Sequence, residues 1–323
     1  MGDILKLIGV RGFAFFIGAG FIFVLIWSFQ NDVRAYFDEP PPESLEYAFH
    51  KYPKDVEFTS DGIMASWDKA QLQRGFQVYD QVCSACHGLQ YVNFRNLEDL
   101  GYSEEAVKAI AAQKSVPDLD PESGQPTTRP GKPSDAWPSP FPNEIAARAA
   151  NNNAYPPDLS LITKARSGGA PYIYSLLTGY ADHTTYTNDE GEALPEEAYP
   201  TPGTYFNPYF KNLNLAMANP LIEGIVTYEG ENAPEATAEQ MAKDVSAFLI
   251  WTAEPSLVDR KRTGVGVLIF LLLATIFAFL AYRNVWATAK REVVAKGPLD
   301  PENMAKREEA KDEAAEEGRG VKG

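Results

Sequence analysis

The chain has 323 residues, with 44 Asp and Glu against 29 Lys and Arg, for a net charge of −15. A field of that sign repels acidic partners, so no nucleic-acid ligand is expected. Only two cysteines occur, which excludes a disulfide-held scaffold and leaves the fold to rest on an apolar core.

Residues 12–29 (GFAFFIGAGFIFVLIWSF) are uncharged and follow Lys6 and Arg11. Two readings compete for the segment 1–30. A cleaved signal peptide has an apolar core of about 7–15 residues followed by a small-x-small site. The longer run here, with charge packed around Val33-Arg34-Ala35, favours an uncleaved anchor. Residues 38–43 (DEPPPE) then read as a stiff polar linker, opening a domain expected over 31–258. That domain carries 33 Asp and Glu against 15 Lys and Arg between residues 31 and 257, a composition that attracts basic partners.

Cys83-Ser84-Ala85-Cys86-His87 contains both cysteines of the chain. C-x-x-C-H is the pattern left by covalent haem attachment. The two thiols add across the haem vinyl groups, and the histidine is held under the iron. A structural zinc needs four ligands, and only His50 and His183 remain to help. A redox thiol pair needs a βαβ setting and no histidine. A disulfide between Cys83 and Cys86 leaves His87 unexplained. Upstream, Gly75, Phe76 and Tyr79 recur at helical spacing, so a short helix leads into the site.

Residues 104–114 read as a helix with Ser103 as N-cap and Val107, Ile110 and Ala111 on one face. Proline and glycine become dense over 115–142, which rules out regular structure and suggests an ordered wrap over the domain. Phe141-Pro142-Asn143-Glu144 is expected to open a helix running to about Ala150, the stretch 155–162 to change direction and start another helix, and residues 171–179 to form a further one. Residues 181–202 are acidic and Thr-rich, most simply a surface loop. Residues 237–251 are amphipathic, with Met241, Val245 and Phe248 on one face and Glu239, Lys243 and Asp244 on another. Thr237 with Gln240 suggests a capping box.

An electron-transferring haem needs a second axial ligand, and His with Met raises its potential. Met1 and Met304 lie at the ends, and Met241 reads as a core residue. Met217 sits in an irregular, proline-ended segment, residues 212–220, that can present a thioether to an iron, with Met64 and Met241 as its competitors. His50 or His183 would instead give a bis-histidine iron.

Residues 264–282 form an uncharged run of 19 with no polar face, the length of a membrane span. The span is assigned to 259–283 and a charged tail to 284–323. Basic residues flank both ends, so the positive-inside rule orients it weakly. Covalent haem attachment belongs to the oxidising side of a bacterial membrane, so the preceding domain is expected in the periplasm and both termini in the cytoplasm.

The blocks RGFQVYDQVCSACHGL (74–89), NNNAYPPDLSLITKARSGGAPYIYSLLTGY (151–180), YFNPYF (205–210), LAMANPL (215–221) and KDVSAFLIWTAEP (243–255) precede that span. In this order they resemble the cytochrome c1 family, the haem c subunit of the ubiquinol–cytochrome c reductase (cytochrome bc1) complex. The resemblance implies a mainly α fold, a c-type cytochrome domain with long irregular wrapping segments plus a C-terminal transmembrane helix. It implies one covalent haem c, His87 as proximal ligand and Met217 as distal ligand. It puts Arg166 on a haem propionate, as a guanidinium suits a carboxylate fork, and Tyr172, Pro156 and Pro157 along the haem pocket. It further implies a cytochrome b subunit, a Rieske iron–sulfur protein as electron donor, a soluble or anchored cytochrome c as acceptor, and a dimeric complex in the bacterial inner membrane. Two features depart from the family: the N-terminal apolar run, and the segment 181–202, which matches none of these blocks. The chain also has no spare cysteines for the disulfide that often steadies the distal segment in bacterial members.

Two other classes of function compete with an electron carrier. One is a haem enzyme or gas sensor with an open sixth position, and the other is an anchoring subunit. Sulfur on ferric iron gives a weak red-end absorbance that separates the carrier from the sensor.

Overall fold

The computed structural model describes residues 2–38, 44–230, 233–292, 297 and 300–320. Ten helices occur among them: α1 (Gly2–Asp38), α2 (Leu45–Phe49), α3 (Lys69–Gln81), α4 (Glu104–Ala112), α5 (Glu144–Ala150), α6 (Ile162–Ala165), α7 (Gly169–Leu177), α8 (Ala238–Ala253), α9 (Leu257–Glu292) and α10 (Pro301–Gly320). Two short antiparallel pairs, β1 (Ser115–Leu119) with β2 (Pro126–Pro130) and β3 (Tyr205–Phe206) with β4 (Asn214–Leu215), are the only strands there. The fold is mainly α with long irregular connections, as expected.

Side-chain caps set the helix starts. Asp68 accepts from Gln71 N, Ser103 from Ala106 N, Asn143 from Ala146 N and Thr237 from Gln240 N, each satisfying an amide that the first turn leaves unpaired. The core forms where α3 packs on α8, with α7 and α6 also against α8. Phe76, Tyr79, Phe94, Trp137, Phe248 and Trp251 fill it with edge-to-face, tilted and stacked ring pairs. Gly75 permits the close approach: a Cβ there would stand 2.1 Å from the Asp244 carbonyl oxygen on α8.

Three expectations are corrected. Residues 115–142 are not without regular structure, because β1 and β2 pair from Ser115↔Pro130 to Leu119↔Pro126. A lone pair of strands has two free edges, so the missing amides of Pro117 and Pro126 need not break the ladder. The segment 181–202 is more than a solvated loop. Leu194 and Ala198 are buried with Phe49, Phe206 and Leu213 in a second small core. Asp244 does not share a polar face with Glu239 and Lys243. It is fully buried and binds Arg74 Nε at 2.8 Å, Gln71 Nε2 at 3.1 Å and Gln240 Nε2 at 2.8 Å. Gln240 thus turns to Asp244 instead of completing a capping box.

The chain divides into two compact units, Met1–Thr59 with Trp67–Pro255, and Ser60–Ser66 with Ser256–Gly323. Ala14–Asp38 within α1 and Leu257–Ala287 within α9 are long and apolar enough to cross a membrane, and none of their most apolar windows is buried in protein. Of the expected linker, only Asp38 falls within the described residues, as the last residue of α1.

Candidate haem site

The C-x-x-C-H segment follows directly from α3. The helix ends at Gln81, and Cys83–Ala85 tighten into a 3-10 turn. The amides of Cys86 and His87 both donate to the Cys83 carbonyl, at 3.1 and 2.9 Å. This turn gathers two free thiols and an imidazole within five residues. The Tyr79 hydroxyl, one helical turn before Cys83, donates to the His87 carbonyl at 2.9 Å and ties the turn back onto the helix.

The His87 ring is oriented from across the fold. Its Nδ1 lies 2.7 Å from the Pro157 carbonyl oxygen. A carbonyl only accepts, so Nδ1 carries the proton and donates, and Nε2 keeps its lone pair. An imidazole held by Nδ1–H to a backbone carbonyl is the usual arrangement of a metal-ligating histidine. Burial lowers the His87 pKa, against smaller raising effects from the Pro157 bond and the Asp158 charge, so the neutral ring is favoured. Cys83 keeps part of its surface open but is surrounded by protein atoms, and burial pushes its thiol up to about 12.

The segment bearing Pro156 and Pro157 is fixed opposite by Asp158. Its Oδ2 accepts from Gln90 N at 2.9 Å and its Oδ1 from Ser160 N at 2.9 Å. Leu159 N donates to the Gly88 carbonyl at 2.9 Å, and Tyr91 N to Ser160 Oγ at 3.1 Å. Residues 88–91 and 157–160 are thereby stitched together, which keeps the Pro157 carbonyl on the His87 ring. Sequence reasoning names Pro157 and puts Tyr79 on the lead-in helix, but misses the Pro157 carbonyl, the Tyr79 hydroxyl bond and Asp158. Nothing in a residue's identity announces a carbonyl partner 70 positions away.

Met217 is half-buried and packs against the same core as Cys83 and Tyr172. Its segment follows β4, and the Tyr180 hydroxyl holds its carbonyl at 2.9 Å. The competitors are placed differently: one is outside this core and the other is sealed within it. Met64 is 93% exposed, and Met241 is sealed in the core. His50 is half-buried with its ring edge-on to Tyr52, and His183 is half-buried against Tyr199 at 4.7 Å between centroids.

Arg166 is exposed just after α6. Its guanidinium donates to the Ala165 carbonyl at 3.2 Å and has no carboxylate partner among the described residues. Burial raises the Tyr172 pKa while the Arg166 charge opposes this, so the two lie within electrostatic reach.

These residues fit a covalently held haem. Two unpaired thiols flank a turn, the adjacent imidazole offers Nε2, a thioether stands on the same core, and a guanidinium lacks an anion. Among the described residues no three or more His, Cys, Asp or Glu are placed to hold one metal ion together, so a zinc-type ligand set is not formed there.

The chain matches the model of the Cytochrome C1 family over residues 58–289. It is 46% identical over 235 residues to "Cytochrome c1" of Rhodospirillum rubrum, covering 71% of this chain and 85% of that protein. It is 41% identical over 267 residues to "Cytochrome c1, heme protein, mitochondrial" of Saccharomyces cerevisiae, covering 82% of each. It is also 41% identical over 256 residues to "Cytochrome b-c1 complex catalytic subunit, mitochondrial" of Candida albicans, covering 79% and 85%. With the family's pattern matched across most of its length, the chain belongs to the cytochrome c1 family.

Proposed function

We propose that the chain is a membrane-anchored, single-haem c electron-transfer subunit of a ubiquinol–cytochrome c reductase. It takes an electron from a Rieske iron–sulfur protein and passes it to a cytochrome c. The observation that carries this reading is the His87 ring, held through Nδ1 by Pro157 at 2.7 Å with Nε2 free, beside two unpaired thiols.

In this reading Cys83 and Cys86 hold the cofactor by thioether bonds. When bound, haem supplies a one-electron iron couple, and the chain makes and breaks no substrate bond of its own. His87 Nε2 would ligate the iron, with the Pro157 carbonyl fixing the ring's tautomer through Nδ1. Met217 would offer its thioether as the second iron ligand, which favours the ferrous state and raises the potential. Arg166 pairs with a propionate, where a permanently charged guanidinium survives partial burial. Tyr172, Pro156 and Pro157 line the pocket and exclude water.

The Candida albicans relative is named as a subunit of a cytochrome b-c1 complex, which supports a cytochrome b subunit as partner; the assembly would be a dimeric complex. The domain 31–258 would lie on the periplasmic side of a bacterial inner membrane, the segment 259–283 would span it, residues 1–30 would form a second anchor, and the tail 284–323 would be cytoplasmic.

Acid–acetone extraction tests the attachment. The colour should stay with the polypeptide in wild type and be lost from it when Cys83 and Cys86 are both changed to Ala. Extraction of the wild-type colour into the solvent would overturn the reading.

A further inference from the structure

Outside the two apolar helices, Met64 is the most exposed large apolar side chain among the described residues, at 93%, and its neighbour Ile63 stands at 71%. Single exposed apolar residues are ordinary, but adjacent ones at this exposure ask for a partner. Their segment, Ser60–Ser66, groups with the unit that contains α9, while the residues on either side of it do not.

The link is a hydrogen bond. Lys261 Nζ donates to the Ser60 carbonyl at 2.7 Å, and Ser60 is buried. Lys261 belongs to the collar Arg260-Lys261-Arg262, which ends just before the uncharged run of α9 begins at residue 264. Three residues of helix are about 4.5 Å, less than the roughly 5–7 Å thickness of one headgroup zone. The Ser60 carbonyl is therefore held at headgroup level. Ile63 and Met64 follow three and four residues later, within roughly 10–14 Å of it even if the chain were fully extended. Gly62, at φ +67 with open space around it, turns the chain before the pair.

We propose that Ile63 and Met64 insert into the lipid interface of the leaflet where α9 enters, forming a shallow membrane contact beside the span. The proposal rests on reading α9 as a membrane span. A basic collar at the headgroups with an apolar pair at its edge is the composition of an interfacial anchor.

The test uses the full, haem-loaded chain with its co-purifying subunits in nanodiscs of phosphatidylcholine and phosphatidylglycerol. A nitroxide is attached in turn to Met64→Cys, Leu271→Cys and Glu122→Cys. Collisions with oxygen, which partitions into lipid, are compared with those of a nickel chelate, which stays in water. The residue-271 label should report the deep bilayer and the residue-122 label water. The residue-64 label should report a shallow lipid position, open to oxygen and largely hidden from nickel. A residue-271 label in water would remove the span itself. With residue 271 in lipid, nickel access at residue 64 equal to that at residue 122 overturns the proposal. So does shielding of residue 64 from both agents, which would assign the loop to a protein partner.

Discussion

The Tyr180 hydroxyl donates a 2.9 Å hydrogen bond to the backbone carbonyl of Met217, joining the end of the α7 region to the proposed distal ligand. Burial pushes the Tyr180 phenol well above the ordinary tyrosine range, so it stays a protonated donor through mildly alkaline pH. Tyr180→Phe removes a bond worth about 0.5–1.5 kcal/mol while keeping the ring. The red-end absorbance of sulfur on ferric iron should then fade at lower temperature than in wild type, and carbon monoxide should compete more readily. The global unfolding temperature should move little. An unchanged thermal profile of that band would mean that the bond does not steady Met217.

Met217→Leu should abolish the red-end band, lower the potential and open the sixth position to carbon monoxide, since a thioether ligand raises the potential. The controls are Met64→Leu, at a site 93% exposed, and Met241→Leu, inside the core. The core swap keeps volume nearly constant and should cost less than about 1.5 kcal/mol. Neither control should alter the spectrum. A wild-type potential in Met217→Leu would pass the distal role to His183.

The contact between α3 and α8 should be the part of the fold least tolerant of change. In Gly75→Ala the new Cβ would meet the Asp244 carbonyl oxygen at 2.1 Å and the Phe248 Cβ at 2.7 Å, so the helices must part. Overpacking of this kind costs about 1–3 kcal/mol, sometimes more. Asp244→Ala strips Arg74 and Gln71 of a fully buried acceptor, and breaking a buried pair from one side costs about 3–5 kcal/mol. Both variants should unfold at clearly lower denaturant in the haem-loaded protein. A midpoint equal to wild type in either would mean that the helices have room to adjust.

What can be read from sequence follows the range of each interaction. The C-x-x-C-H segment and the caps Ser103 and Thr237 are local patterns, and the two caps appear as expected. The spans are legible because a bilayer's thickness fixes a length. Asp244 defeats the pattern because helical periodicity assigns a face but cannot see Arg74, 170 residues away. The β1–β2 pair is hidden because proline density says nothing of where each proline falls, and a two-stranded ladder tolerates prolines facing outward. The small core under residues 181–202 is hidden for another reason: Leu194 and Ala198 are isolated among carboxylates and find Phe49 and Phe206 only through the fold.

That acidic segment supports a sharper test of docking. Asp189 pairs with Lys51 at 3.3 Å, and Glu192 accepts from Asn188 Nδ2 at 3.2 Å inside the turn closed by the Thr187–Ala193 bridge. These two carboxylates help hold the loop. Glu190, Glu196 and Glu197 are exposed and have no side-chain partner among the described residues, so their charge can change without undoing the turn. If they form part of the field that guides a basic cytochrome c, changing all three to Gln should slow its second-order reduction at low salt. It should also flatten the salt dependence, because the Debye length shrinks from about 30 Å at 0.01 M to about 8 Å at 0.15 M and screens that field. Unfolding should be unchanged, since Leu194 and Ala198 keep their packing. A rate and salt slope matching wild type would assign the three carboxylates to solubility and move the docking face to another part of the acidic domain.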